Sequence, residues 1–392
     1  MTKEALKEAI IQRLRINCGC SPRRAGDGDM LRACAMVLRD SMAERGATTR
    51  EERDRCQERQ VHYLSLEFLM GRSLLKNAYN LGLLESLTQA VEELGFSACG
   101  IASIDKPLDD ECQHLDDWLK KGYHAGMTYM ANHREIRRDP KGLVDGARSI
   151  ISVAINYYPA SRRDPALPHI AYYAYGKDYH DVVREKLRQL WTAIQTEAIP
   201  LFQLPKAEAR VFTDSAPLFE RYWAWRCGLG WIGKNSCLIL PGKGSFFFLG
   251  EIVTTLSIES EDRPMPDRCG TCDRCLRACP TGALEAPRRL NANHCLSYLT
   301  IEHKGEIPQE ATLLGNRLYG CDSCQLACPW NRFASPTNIP EFHPSSELLS
   351  LDKETLHHLT LEDYRRIFKG SAIKRAKYEG LIRNFKAMVN NI

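Results

Sequence analysis

Eight cysteines in two runs constrain this chain more than any other feature. The first run is Cys269, Cys272, Cys275 and Cys279, followed by Pro280. The second is Cys321, Cys324 and Cys328, followed by Pro329, with Cys295 between the runs. The first has the C-x2-C-x2-C-x3-C-P spacing of bacterial [4Fe-4S] sites, whose fourth cysteine reaches away to the neighbouring cluster. The second offers only three thiols, and Cys328-Pro329 repeats the far-reaching position of Cys279-Pro280. Cys328 therefore joins Cys269, Cys272 and Cys275 around one cluster. Cys279, Cys295, Cys321 and Cys324 close the other. Zinc favours two C-x2-C knuckles set apart and fits this crowding poorly. A disulfide framework suits small secreted chains, not one of 392 residues with no secretory signal to be read.

The length allows two or three domains. The opening Met1-Thr2-Lys3-Glu4 is charged, and no apolar run is long enough to cross a bilayer. Sixteen cysteines, many expected on iron, imply a reducing cytoplasm. A net charge of +4 argues neither for nor against nucleic acid. A monomer with no membrane partner is the expectation.

Residues 1–82 do not read as continuous with the rest, and their Cys18, Cys20, Cys34 and Cys56 form no metal-like repeat. Beyond them the pattern is coherent. Leu87, Val91 and Leu94 share a helical face that Gly95 ends. Phe96–Ile104, Ser149–Tyr157, Ile170–Tyr175 and Arg210–Thr213 read as strands. Asp178 opens a helix whose face is Val183, Leu187, Leu190 and Ile194. Cys237–Leu240 and Phe246–Leu256 read as a β-hairpin turning at Pro241-Gly242-Lys243-Gly244. The fold class is α/β or α+β over 83–263, a double-cluster domain over 264–333 and a helical tail over 334–392. Two clusters relay electrons but complete no reaction, so the α/β domain is where a second cofactor and a substrate belong.

Four segments carry a resemblance: Tyr175-Gly176-Lys177-Asp178-Tyr179-His180, Phe212-Thr213-Asp214-Ser215-Ala216-Pro217, Gly230-Trp231-Ile232-Gly233-Lys234-Asn235-Ser236 and Cys295-Leu296-Ser297-Tyr298-Leu299-Thr300-Ile301-Glu302. With the cluster spacing and Gly370-Ser371-Ala372-Ile373-Lys374-Arg375-Ala376-Lys377, they resemble epoxyqueuosine reductases over 83–392. The resemblance implies a cobalamin-binding reductase domain fused to a bacterial-type two-[4Fe-4S] ferredoxin domain. It also implies a tRNA anticodon-loop substrate carrying epoxyqueuosine, fed by an unidentified electron donor. A second resemblance, of Ala47–Gly82 to an N-terminal piece of glycogen phosphorylase, implies a non-functional fragment.

Deoxygenating an epoxide takes two electrons and protons, and the resemblance makes Asp214 the proton donor. Phe212, Pro217 and Phe219 are expected to raise its pKa. On spacing alone, Asp214 before Ser-Ala-Pro reads as a helix cap. The resemblance further assigns to cobalamin Arg137 or Arg138, Lys177, Asp214, Arg221, Lys234, Asn235, Ser236, Ser297 and Asp322. A solvated β-turn is the other reading of Lys234-Asn235. His180 is expected to be structural, not a cobalt ligand. In the tail, Arg365, Arg366, Lys369, Lys374, Arg375, Lys377, Arg383 and Lys386 interleave with Tyr364, Phe368, Tyr378 and Phe385. That mixture suits RNA phosphates and bases, or else a solvated amphipathic helix. The rivals are a reductive dehalogenase, which usually carries an export signal and a tyrosine donor, and a plain ferredoxin-like electron carrier.

Overall fold

The computed structural model describes residues 3–17, scattered positions between 20 and 37, 93–199, 206–258, 264–308 and 313–390. The chain divides into two units, Met1–Gly82 and Leu83–Ile392. In the first, helix α1 spans Lys3–Asn17. The phosphorylase-like segment, Cys18, Cys56, Leu87 and Val91 lie outside the described residues.

The second unit is built on one antiparallel sheet. Its strands are β1 (Ala98–Ser103), β2 (Ser149–Asn156), β4 (Ala209–Phe212) and β7 (Phe247–Thr254), in the order β1-β2-β7-β4. An antiparallel sheet with helices on its faces makes the fold α+β. The central strand β2 is buried along all but its last residue, which is why Ser149–Tyr157 reads as a continuous apolar run. Between β2 and β4 come the two-residue strand β3 (His169–Ile170) and helix α4 (Tyr179–Ala193). Earlier helices are α2 (Asp109–Lys120) and α3 (Arg134–Arg138).

Asp178 caps α4, its carboxylate accepting from His180 N–H. Val183, Leu187 and Leu190 are fully buried, each worth roughly 1.5–3 kcal/mol of apolar burial. They settle on β7 because Gly250 leaves room: a Cβ there would meet Leu187 and Val183 at 2.9 Å. On the opposite face lies α5 (Glu220–Arg226), whose Trp223 packs with Ile150 and Val253.

Two expectations fail here. The strand over Ile170–Tyr175 stops after Ile170, and Tyr172–Ala174 coil into a 3-10 turn. The hairpin does not form. Leu238–Ile239 (β6) pairs with Trp231–Ile232 (β5), while β7 pairs with β2 and β4. Only a single bridge, Leu240 to Gly244, spans the Pro241–Gly244 turn. The long apolar β7 buries more between two main-sheet strands than against a short neighbour.

The cysteine-rich region carries α6 (Arg274–Arg277), the paired strands β8 (Leu284–Ala286) and β9 (Arg289–Leu290), α7 (Leu296–Ile301), β10 (Arg317–Tyr319) and α8 (Ser323–Leu326). The parallel pairing of β10 with β3 joins it to the half that carries the main sheet. The tail is helical, with α9 (Ser346–Ser350), α10 (Lys353–His357), α11 (Leu361–Ile367) and α12 (Lys377–Asn390). Its Leu348, Leu356, Tyr364, Phe368, Leu381 and Phe385 share one core with Ile170, Tyr175 and Tyr319. Buried Arg163 donates to the carbonyls of Leu348 and Leu351. The tail aromatics are thus core, and the base-stacking expectation for Tyr364, Phe368 and Phe385 is corrected. Among the described residues no helix is long and apolar enough to cross a membrane.

Gly176 gives a test of this packing. A Cβ there would sit 2.3 Å from the Glu341 carbonyl oxygen. Gly176→Ala is expected to cost about 1–3 kcal/mol as overpacking, read as a lower denaturant midpoint with an unchanged slope.

Candidate active site

The two cysteine runs fold alike. Each C-x2-C turn opens a single-turn helix, α6 or α8, that stops before a Cys-Pro step, and the two helices pack together. Cys269, Cys272, Cys275 and Cys328 line one cavity with Lys234, Asn235 and Trp330. Burial raises the Cys275 and Cys328 thiols, and the neighbouring thiolates of that set raise them further. The other four lie within charge range of one another. Burial and then the charges of neighbours that include Cys295, Cys321 and Cys279 push Cys324 up. Cys295 is raised by burial and by Cys321 and Cys279. Among the described residues no three His, Cys, Asp or Glu side chains gather around a single-ion point. The donor chemistry fits a multi-iron cluster: thiols facing a shared space, with backbone N–H groups aimed at sulfur from Leu276, Trp330, Asn331, Ser297 and Tyr298. Iron would offset the mutual repulsion of the thiolates.

Asp214 follows β4 in a left-handed conformation, φ 57°, and caps no helix. Its side chain is 60% exposed, open to an incoming ligand. Its Oδ2 accepts from Tyr179 Oη–H and meets His180 Nε2 at 3.1 Å. On its other side His180 Nδ1 lies 2.7 Å from Asp178 Oδ1. Burial alone would lower the His180 pKa, but hydrogen bonds and charge from Asp178 and Asp214 win and lift it to about 9. His180 is therefore an imidazolium between two carboxylates. For Asp214, burial pushes upward, yet His180, Tyr179 and the charge of Arg221 hold it below its ordinary value. The expectation of a raised pKa is corrected: Phe212 and Phe219 turn into the core with Trp223 and leave the carboxylate to polar partners. Tyr179 stacks flat on Phe248 at 4.3 Å, which fixes its hydroxyl.

Behind Asp214 lies a pair of carboxyls that the sequence reading missed. Asp214 N–H donates to Glu220 Oε1. Glu220 faces Glu251 of β7, which has no exposed surface. Ser152 Oγ donates to Glu251 Oε1 at 3.3 Å, while Oε2 has no protein donor. Two carboxyls attract only with a proton between them. Burial, then the charge of Asp214, pushes Glu220 up to about 8, and burial, then Glu220, pushes Glu251 well up. A lone Glu within the apolar run Phe246–Val253 was the available signal, because a buried charge demands a partner.

The remaining candidates separate. Arg137 is buried, and its Nε has no acceptor. Arg138 faces outward and is spent on Asp109 at 2.6 Å, so the geometry favours Arg137 of the two. Arg221 donates to the Ser236 carbonyl at 2.7 Å and lies within range of Asp214. Lys177 is exposed. Ser236 holds a left-handed turn, φ 65°. Lys234 Nζ donates to the carbonyls of Gly270 and Cys272, and Asn235 Nδ2 to that of Cys324. Those two side chains tie the cysteine loops together. Ser297 N–H points at Cys295, and Asp322 accepts from Tyr172 N–H at 2.8 Å. The unmatched cation of Arg137 near Glu220, with Arg221 and the open carboxylate of Asp214, fits a large cofactor with polar arms. Cys237, also unforeseen, sits within charge range of both cysteine sets.

Family models match residues 137–215, as "Epoxyqueuosine reductase QueG, DUF1730", and residues 268–331, as "4Fe-4S double cluster binding domain". The chain is 45% identical over 293 residues to an epoxyqueuosine reductase of Leadbetterella byssophila, covering 74% of this chain and 93% of that protein. The chain belongs to the epoxyqueuosine reductase family. The family's Escherichia coli member is 39% identical over 306 residues, covering 76% of this chain and 78% of that one. A solved epoxyqueuosine reductase with an epoxyqueuosine-modified tRNA-Tyr stem loop superposes with a TM-score of 0.70 at 31% identity, covering 79% of this chain and 82% of that one. The family is thereby shown, and so is a mixed α/β fold with a double-cluster domain. The phosphorylase resemblance of 47–82 is not borne out.

The carboxyl pair yields a pH test. Glu220 holds its proton up to about 8 in the folded chain, against about 4.3 when unfolded. Its contribution is full below the unfolded value and is lost as pH rises through 8. Glu251→Gln supplies an amide donor in place of the shared proton. Its unfolding temperature, relative to the parent, should climb between pH 5 and pH 9; a constant difference would mean no proton is shared.

Proposed function

We propose that this oxidoreductase reduces epoxyqueuosine to queuosine at the wobble position of tRNA, using cobalamin and two [4Fe-4S] clusters. The observation that carries the reading is Asp214, an open carboxylate bonded to a charged histidine, in the same unit as two four-thiol sets. Cys269, Cys272, Cys275 and Cys328 would hold one cluster, and Cys279, Cys295, Cys321 and Cys324 the other. Arg137, Arg221, Lys177 and Ser236 would meet cobalamin, with Ser297 and Asp322 on its cluster side. Cobalamin, when bound, supplies a low-valent metal that accepts electrons one at a time.

The protein's own residues manage the protons. Removing the epoxide oxygen as water consumes two electrons and two protons. In the open cleft Asp214 is ionised, and the proton resides on His180. A substrate over Asp214 strips water from its carboxylate and favours its neutral form. The His180 Nε2 proton would then pass to Asp214 Oδ2 and on to the oxygen as its first C–O bond breaks, and a second proton, taken from solvent by His180 and relayed the same way, would let the oxygen leave as water, while Asp178 keeps the ring oriented. Exposed Arg365, Lys369, Lys377 and Lys386 support an RNA-facing role for the tail. Arg375 and Arg383 are instead occupied by Glu302 and by backbone carbonyls. A relative solved with a modified tRNA stem loop supports the same partner.

Anaerobic protein loaded with cobalamin and clusters, given dithionite and epoxyqueuosine-bearing tRNA, should yield a nucleoside lighter by one oxygen by mass spectrometry. Asp214→Asn should lower that turnover by about 10²–10⁴-fold, the usual weight of a general acid, with iron content and corrin spectrum intact. Undiminished turnover would remove Asp214 as donor. The parent's rate should fall as pH passes about 9, where His180 loses its proton. His180→Gln should be slower and lack that limb.

A further inference from the structure

A groove of about 660 Å³ opens beside the first cysteine set, and none of Asp214, Tyr179, His180 and Arg221 lines it. Its apolar floor includes Tyr158, Phe246 and Leu326. Arg162, Arg274, Arg277 and Arg332 ring it, and no acidic side chain among the described residues lines it. All four arginines are exposed. Arg277 leans on Asp273 at 2.9 Å, both of them exposed, and Arg332 lies over the Phe333 ring at 4.6 Å. Leu326 and Phe333 stand 47% and 41% exposed at this face, unusual for large apolar side chains beside charge. Cys328 lines both this groove and the cavity it shares with Cys269, Cys272 and Cys275. Its loop is the wall between outside and that set.

The reaction consumes two electrons per epoxide, and the chain has no residue that supplies them. A one-electron carrier must meet the protein twice per turnover. We propose that the arginine-ringed groove over Cys328 docks a small acidic electron-carrier protein. An acidic rim would meet the four arginines, and the apolar border of the carrier's cofactor would rest on Leu326 and Phe333. Each encounter would oxidise the carrier by one electron and reduce the first cluster by one across the Cys328 loop. Charge steering with a small contact area suits such brief encounters. RNA would also be drawn to arginine, but the apolar floor and the cysteine wall favour a redox protein.

The inference rests on the reductase reading, and the test keeps the two apart. The cluster-loaded full chain and its Arg162→Glu/Arg277→Glu double variant are mixed anaerobically with a fully reduced acidic bacterial flavodoxin, and its oxidation is followed by stopped flow. Turnover driven by dithionite, which needs no docking site, and affinity for tRNA are measured in parallel. Flavodoxin oxidation should slow about tenfold or more in the variant at low salt. Added salt should slow the parent toward the variant's rate. Dithionite-driven turnover and tRNA affinity should not change. Equal flavodoxin rates in parent and variant, or no oxidation by a parent that turns over with dithionite, overturn the docking site. Loss of tRNA affinity in the variant overturns it in favour of RNA. Failure of dithionite to give queuosine in the parent, with flavodoxin oxidation still arginine-dependent, sinks the reductase reading and leaves the docking site standing.

Discussion

One buried carboxylate, Asp178, ties the reductase half to everything around it. Its Oδ1 orients His180 and caps α4, while its Oδ2 meets Lys374 of the tail at 2.7 Å. Its backbone N–H donates to Gly370 at 2.6 Å. Burial opposes its charge, but the hydrogen bonds from His180 and Lys374 prevail and hold its pKa well below the usual range. A buried carboxylate with so many donors is a fixed anion. The histidine beside it must then carry a proton, and the open carboxylate beyond inherits a charged neighbour.

The opposite strategy operates a few ångströms deeper. Glu220 and Glu251 face each other out of water, and burial, then the charge of neighbouring carboxylates, pushes both toward the neutral form. Their pair supports the left-handed turn at Asp214 through its backbone, whereas Asp178 acts on the same residue through His180. Asp214 is thus held from two sides by groups of opposite protonation habit. Cleft geometry and proton supply are coupled at a single residue.

Much of this was legible in the sequence where chemistry or burial is local. The cysteine partition follows from two Cys-Pro steps and the need for four thiols per cluster, and Cys269, Cys272, Cys275 and Cys328 line one cavity in the fold. The β2 run and the α4 face are readable because each is buried along its length. What was not legible depends on partners distant in the chain. The Phe246–Leu256 run looks like half of a hairpin, yet its pairing is decided by β2 and β4. Arg137 and Arg138 are equivalent on paper, and only the position of Asp109 separates them. Lys234-Asn235 gives no hint in the sequence that the carbonyls of Gly270, Cys272 and Cys324 lie within its reach. The aromatics of the tail resemble base-stacking groups because a core built from a late segment has the same composition as an RNA-binding face.

Asn384 of α12 donates to the carbonyls of Thr300 and Leu318, beside the Cys295 and Cys321 loops. The same helix buries Leu381 and Phe385 against Tyr319 and Ile170. A nascent chain therefore exposes every thiol of both runs well before the segment that locks them has left the ribosome. The thiols thus precede in synthesis the helix that braces the Cys295 and Cys321 loops.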